Sequence, residues 1–494
     1  MTAVLPMQRI SQRARFIDSK SLVLFTTCLG VFIAQLDTSV VNLALKHVSS
    51  DLSSNVSQLQ WIIDAYNLAF ASFLLTGGIL GDVVGRRRIF IIGNVLFALG
   101  SLACGFAPDN TTLIAGRGLS GLGAALELPV SLAIVSQTYP DDAERARAIG
   151  IWASCNGLAW LVGPATGGLI VDYIGWRGIF LVTVPFGALA CVLAWKVIAA
   201  GRGGEQRRID VPGQVLAVIA LATFAFAFIE GSHWGWSTTP VVGSLVAAAL
   251  AIVGFVVVEL KSRAPLLPID LFRQSQFSTA CLIAACMTFG MYATLFLMPL
   301  YLQVGRGASA FVAGLEMLPM PLAFVLVGQA SGKLAVRFGA RLLMAVGMAS
   351  MGAGQLLLAF ISVDTSLIYV EAAFLIIGIG LGLNTGPVLN VAVSAAPDAQ
   401  TGVASGIVNT ARIVGATLGI AVLGALFASH AGQNPATASA IVAGLWPPLV
   451  GGALVEFAGA VAAWAIIAPG TIGTASVPAR PITSSSGSRT RRLP

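Results

Sequence analysis

Among the ionisable residues inside long apolar runs of this sequence are Asp37, Arg117 and Glu127. A charged side chain in hydrocarbon costs about 2.5–3.5 kcal/mol on insertion scales, so such residues face a cavity or a partner and mark ion or substrate pathways. Asp37 stands about nine residues from the outer end of the first run, roughly 13 Å deep; Arg117 stands about five residues into the fourth, roughly 7 Å deep. Those depths allow coupling, either as a structural ion pair or as a seat of proton and substrate exchange. Glu127 is deeper, roughly 22 Å from the outer face, and is suited to carrying a proton unless paired. Arg412 and Glu456 form a second opposite-charge set within spans and are expected to tie helices together near mid-membrane. Asp64 and Glu316, near the outer ends of their runs, would give an acidic outer mouth or simply reach water.

Two glycine-rich strings could move helices. Gly78, Asp82, Gly85, Arg86 and Arg87 fall in one short loop, GILGDVVGRRR. Glycines there permit close helix approach, and Asp82 can latch a helix N-terminus or an arginine such as Arg147. The arginines also read as a plain topology signal; Asp82 does not. The second string, Gly163, Pro164, Gly167 and Gly168, interrupts one turn of helical hydrogen bonding and leaves a flat face, which suits a hinge as well as close packing.

The elements that must position these residues follow from composition. Of 494 residues, 56% are hydrophobic and only 10% charged, with mean hydropathy +0.87. Ordinary globular chains carry about 25% charge, so a soluble fold is excluded and an all-α integral membrane protein is indicated. Runs of about 20 apolar residues span a bilayer as helices. Fourteen such runs lie near 21–46, 59–80, 89–107, 113–137, 149–171, 177–199, 213–231, 241–260, 277–301, 311–334, 342–361, 367–394, 403–427 and 440–468. They lack the alternation of a membrane β-barrel. Of the 28 basic residues, only Lys46, Arg177 and Arg306 fall on one side; Arg117 and Arg412 lie within spans, and the rest fall on the other side. The positive-inside rule then puts both ends in the cytoplasm. The net charge of +7 is spent on orientation, and no nucleic-acid patch is expected. The six cysteines show no metal-like spacing, and the three histidines fall in separate outer loops, so no metal, cofactor or catalytic cluster is expected.

Gly332-Lys-Leu334-Ala335 with Gly339 and Arg341 echoes the first loop in one register, and Gly415 with Gly419 echoes Gly163 with Gly167. The chain thus reads as an N-terminal tail 1–20, a six-helix bundle 21–200, a linker with two inserted helices 201–275, a second six-helix bundle 276–470 and a disordered tail 471–494. Two homologous bundles around a central cavity suit alternating access.

GILGDVVGRRR resembles the loop signature of the major facilitator superfamily, and LIAGRGLSGLG (113–123) is similar to its fourth-helix arginine motif. GPATGG (163–168) resembles the fifth-helix motif of antiporters, and LDTSVVNLAL (36–45) with WRGIF (176–180) resembles the 14-spanner drug:proton antiporters. The resemblance implies a major facilitator fold and assigns Asp37 and Arg117 to proton and substrate coupling. Glu127, Asp64 and Glu316 depart from the family pattern, as do Ser120, where glutamine is usual, and Lys46, where proline is usual. No phosphate-binding loop is present: Gly328 to Leu334 is one residue short and ends in leucine. The expectation is an ion-driven exporter in the plasma membrane of a bacterium, acting as a monomer on a small amphipathic drug or antibiotic, with cavity carboxylates favouring cations. A uniporter or metabolite symporter of the same fold is the alternative; a polytopic enzyme or a sensor lacks its required cluster or output domain.

Overall fold

The computed structural model describes residues 5–200, 210–262, 265–397 and 400–469, with the backbone alone for 5–19. The tail 471–494, Arg202, Arg207, Arg208, Arg263 and the side chains of Arg9, Arg13 and Arg15 lie outside the described residues. The chain is helical: α1 (Leu5–Leu52), α2 (Val56–Val84), α3 (Arg86–Gly105), α4 (Asn110–Thr138), α5 (Asp142–Tyr173), α6 (Arg177–Leu181) and α7 (Thr183–Val197). Then come α8 (Val211–Trp234), α9 (Thr239–Lys261), α10 (Ile269–Phe272), α11 (Ser275–Leu300), α12 (Ala310–Glu316) and α13 (Pro319–Phe338). The last four are α14 (Ala340–Ala359), α15 (Leu367–Ala395), α16 (Thr401–Ala431) and α17 (Ala438–Ile466). Fourteen helical segments are long and apolar enough to cross a membrane, α6 joining α7 and α12 joining α13 as single spans. The helix α1 begins inside the stretch read from sequence as a tail.

Local chemistry sets the ends. Asn55 and Gln58 form a reciprocal capping box at α2, which satisfies amides that a helix start leaves unpaired. Asp109 accepts from the Thr112 amide at α4 (2.8 Å), and that bond holds its carboxyl below the usual carboxylate range. At the two echoed loops, Gly85 (φ +111°) ends α2 and Gly339 (φ +83°) ends α13. A side chain is strained at such φ, which explains why glycine recurs at both.

The repeat seen in sequence is a repeat of packing. In the first bundle α1 packs on α5 and α7, α2 on α4, and α3 on α4 and α7. In the second, α11 packs on α16 and α17, α13 on α15, and α14 on α15 and α17. Glycines let the backbones meet: a Cβ on Gly121 of α4 would collide with the backbone of Tyr66 on α2. The bundles meet along α2 with α16 and α5 with α12 and α13. The inserted α8 lies along α2 and α16, donating from Gln214 to the Ser72 carbonyl (2.8 Å). Its partner α9 is mostly exposed.

The ends are named by the arginine distribution, which assigns α1's Leu52 end to the outside. Among the described residues, every hydrogen bond between the bundles lies in the outer half. The Asp172 carboxylate accepts from the Ala310 and Phe311 amides at the start of α12 (3.0 and 2.9 Å). Lys46 donates to the Gln303 carbonyl (3.0 Å), and the Gln303 amide donates to the Leu43 carbonyl (3.0 Å). Gln433 accepts from Val56 and Ser57, and Gln60 donates to the Ile420 carbonyl (2.7 Å). The inner half of α5 is largely exposed. The hydrogen bonds that join the bundles are thus gathered at the end of α1 that carries Leu52.

Candidate functional site

Asp37 and Arg117 form an ion pair inside the first bundle, 3% and 1% exposed. Arg117 is held from three further sides. Its Nε donates to the Ile62 carbonyl of α2 (3.0 Å). Its guanidinium lies over the Tyr66 ring (4.5 Å to the centroid) and near Phe180 (5.8 Å). The pair therefore links α1 to α4, with α2 and α6 enclosing it. A charged group so enclosed needs this full set of partners, because each ion gives up hydration worth several kcal/mol.

Glu127 lies elsewhere. It is 2% exposed and projects between α1 and α3, so that a Cβ on Gly30 would strike its carboxylate and one on Gly93 would crowd its Cβ (3.1 Å). Asn94 is its polar neighbour, and its Oε1 has no partner. It is enclosed within the first bundle and does not line the cavity between bundles, where the sequence reading had put it. Depth along a helix gave its level and not its direction.

Arg412 and Glu456 are not brought together. Arg412 donates from Nη2 to the Thr385 carbonyl of α15 (2.9 Å). Glu456 accepts from the Gln355 amide of α14 (3.1 Å) beneath Gly290 of α11. The expected tie between them gives way to two separate contacts, because the two side chains leave α16 and α17 toward different neighbours.

The loop motif is a clasp at the inner end of the first bundle. Arg86 pairs with Asp82 (3.1 Å) and donates to the Ala133 carbonyl of α4 (3.0 Å). Arg87 donates to the Ile198 carbonyl at the end of α7 (3.3 Å). Gly78 faces Pro129 of α4 at ordinary contact distance (3.7 Å). In the second motif, Gly163 and Gly167 press on Ser39 and Val40 of α1, whereas Gly168 presses on the Ala310–Phe311 backbone of α12. The Pro164 carbonyl meets Gly314 of α12. This motif thus joins α1 and α5 to the opposite bundle at the outer seal.

Between the bundles, beneath that seal, lies a small pocket lined by Ser39, Asn42, Trp160, Leu295, Met317 and Met320 among others. Trp160 donates to Gln35 (3.3 Å) and packs edge-on against Tyr292 (ring centroids 6.0 Å apart). Its walls are apolar with a few polar groups, as small-molecule sites usually are. Sequence reasoning missed Gln35, Trp160 and Tyr292. Aromatic residues in apolar runs carry no mark of which face they take. Trp160 stands just before the GPATGG string, and that adjacency was the available signal.

The profile of the Major Facilitator Superfamily matches residues 27–420. The chain is 38% identical over 408 residues to the multidrug resistance protein Stp of Mycobacterium tuberculosis, covering 83% of this chain and 76% of that one. It is 36% identical over 406 residues to the methylenomycin A resistance protein of Bacillus subtilis, covering 82% and 87%. Among solved structures it resembles a bacterial homologue of the human lysosomal transporter Spinster in an inward-facing, occupied conformation. That match has TM-score 0.66 and 16% identity, over 90% of this chain and 96% of the other. The xylose transporter XylE of Escherichia coli matches with TM-score 0.63 and 13% identity, over 92% and 100%. With a family profile across most of its length, paired six-helix bundles and fourteen spans, this multi-pass membrane protein belongs to the Major Facilitator Superfamily.

Proposed function

We propose that the chain exports a drug or antibiotic across the plasma membrane in exchange for protons, with both termini in the cytoplasm and the monomer as the working unit. The relatives named for drug and antibiotic resistance support export. The observation that carries proton coupling is the enclosed Asp37–Arg117 pair. Arg117 has the Ile62 carbonyl and the Tyr66 ring as partners besides Asp37, so neutralising Asp37 would not leave it bare. A proton arriving from outside neutralises Asp37, frees α1 from α4 and favours release of cargo outward. Its loss toward the cytoplasm restores the pair and resets affinity. Each step biases one conformation over the other, which is all that coupling requires. The Asp82–Arg86 clasp and the Gly163–Gly168 surface are the parts that let the bundles rock.

The test is transport in liposomes with an imposed pH difference. Asp37→Asn should fold, bind cargo and lose gradient-driven export. Equal export by the wild type with the pH difference collapsed and no other ion gradient would remove proton coupling. Cargo-induced proton release separates exchange from uniport or symport.

A further inference from the structure

Arg412 of α16 is half-buried, outside the pocket lining but connected to it through Tyr292 and Trp160. Its backbone is fixed by Thr288 of α11, whose hydroxyl donates to the Arg412 carbonyl (2.6 Å). One turn further along α11 is Tyr292, in electrostatic range of Arg412 and packed on the cavity-lining Trp160. Tyr292 shares its helix face with Leu295 and Pro299, which also line the cavity. Arg412 spends Nη2 on the Thr385 carbonyl, and its Nε has no partner.

No carboxylate among the described residues lies within ion-pair distance of Arg412. Asp37 is taken by Arg117, Glu456 by Gln355, and Glu127 is enclosed beside Asn94. Asp64, buried on α2, has Asn67 as its neighbour. A guanidinium stays charged at any working pH and offers a planar fork that matches a carboxylate. A lone charge at this depth calls for a counter-charge, and the described residues supply none within ion-pair distance.

We propose that the pocket recognises its cargo through a carboxylate held by Arg412, while the apolar body lies against Trp160, Met317 and Met320. This deepens the export reading and rests on it. It also reverses the cation preference expected from the sequence, since the carboxylates that suggested it are enclosed within the first bundle, Asp37 against Arg117 and Glu127 beside Asn94.

One fluorophore at three charges tests this: a diethylaminocoumarin carboxylic acid, its ethyl ester and its trimethylammonioethyl amide. Binding to the purified full-length protein is read by fluorescence anisotropy in chloride-free buffer, and flux is read in liposomes with an imposed pH difference. The acid should bind at least about tenfold tighter than the other two, the scale of one charge-assisted hydrogen bond. Arg412→Gln should remove that margin, and Arg412→Lys should keep part of it. The inference is overturned if the wild type binds the ester or the cation as well as the acid, or if the margin survives in Arg412→Gln. Gradient-driven flux without acid preference sinks this inference alone; acid preference in binding without gradient-driven flux of any probe sinks the export reading instead.

Discussion

The two bundles share one packing scheme and differ in how they handle charge. In the first, Asp37 and Arg117 neutralise each other out of reach of water, with a backbone carbonyl and a tyrosine ring completing the enclosure. In the second, among the described residues, Arg412 hydrogen-bonds to a carbonyl and Glu456 to an amide, and neither has an ion-pair partner. The helices α1 and α11 occupy equivalent places, as do α5 and α16. The proposed division of labour rests on that contrast: a closed pair suited to responding to a proton, and an arginine without a carboxylate partner suited to touching cargo.

The sharpest way to break this contrast is to remove each arginine in turn. Arg117→Gln leaves Asp37 buried opposite a neutral amide, and breaking a buried pair from one side costs about 3–5 kcal/mol. Thermal unfolding in detergent should show a large fall in midpoint. Arg412→Gln removes a charge that had no carboxylate partner, and its midpoint should stay near that of the wild type. Equal falls for both would mean that Arg412 is a structural ion as well, and the division between bundles would fail.

Part of this was legible from residues alone. Apolar run length gave fourteen spans, and the echoed loops gave the duplication, because both are properties of sequence spacing. Asp37 and Arg117 were readable as candidates for coupling, since their depths, roughly 13 and 7 Å, are close and charges within spans are rare. Depth gives one coordinate of a helical residue and rotation about the axis gives another. Arg412 and Glu456 match in level yet point to α15 and α14, and Glu127 points between α1 and α3 rather than into the cavity. The seal was hidden for another reason. Asp172 and Gln303 act on backbone groups of the opposite bundle, and backbone partners leave no residue-type signature.

A second test asks whether the bundles are equal where the packing scheme says they should be. Gly85 and Gly339 hold the same turn at the same place in each half, both with positive φ. Alanine at either would force an L side chain into a region that costs about 1–3 kcal/mol. Gly85→Ala and Gly339→Ala should lower the unfolding midpoint by similar amounts. Gly328→Ala is the control, as nothing lies within 4 Å of the added Cβ. If Gly339→Ala behaves like Gly328→Ala, the second loop is only an echo in sequence.

The smallest effect concerns the two seams between bundles. On the α5 side the seal is ionic in character, a carboxylate against the first amides of α12. On the α2 side it is neutral, Gln433 against Val56 and Ser57. A full negative charge at a helix N-terminus contributes about 0.3–1 kcal/mol. Asp172→Asn keeps one acceptor oxygen but loses the charge and the hydrogen bond to the second amide. It should shift the balance toward the outward-open form by a few-fold, since 1 kcal/mol corresponds to about a fivefold change in the ratio. The readout is labelling of Asn42→Cys, in the cavity wall, by an impermeant maleimide added outside intact cells. The labelling rate should rise a few-fold with Asp172→Asn and less with Gln433→Leu. An unchanged rate with Asp172→Asn would show that the ionic seam does not set the gate.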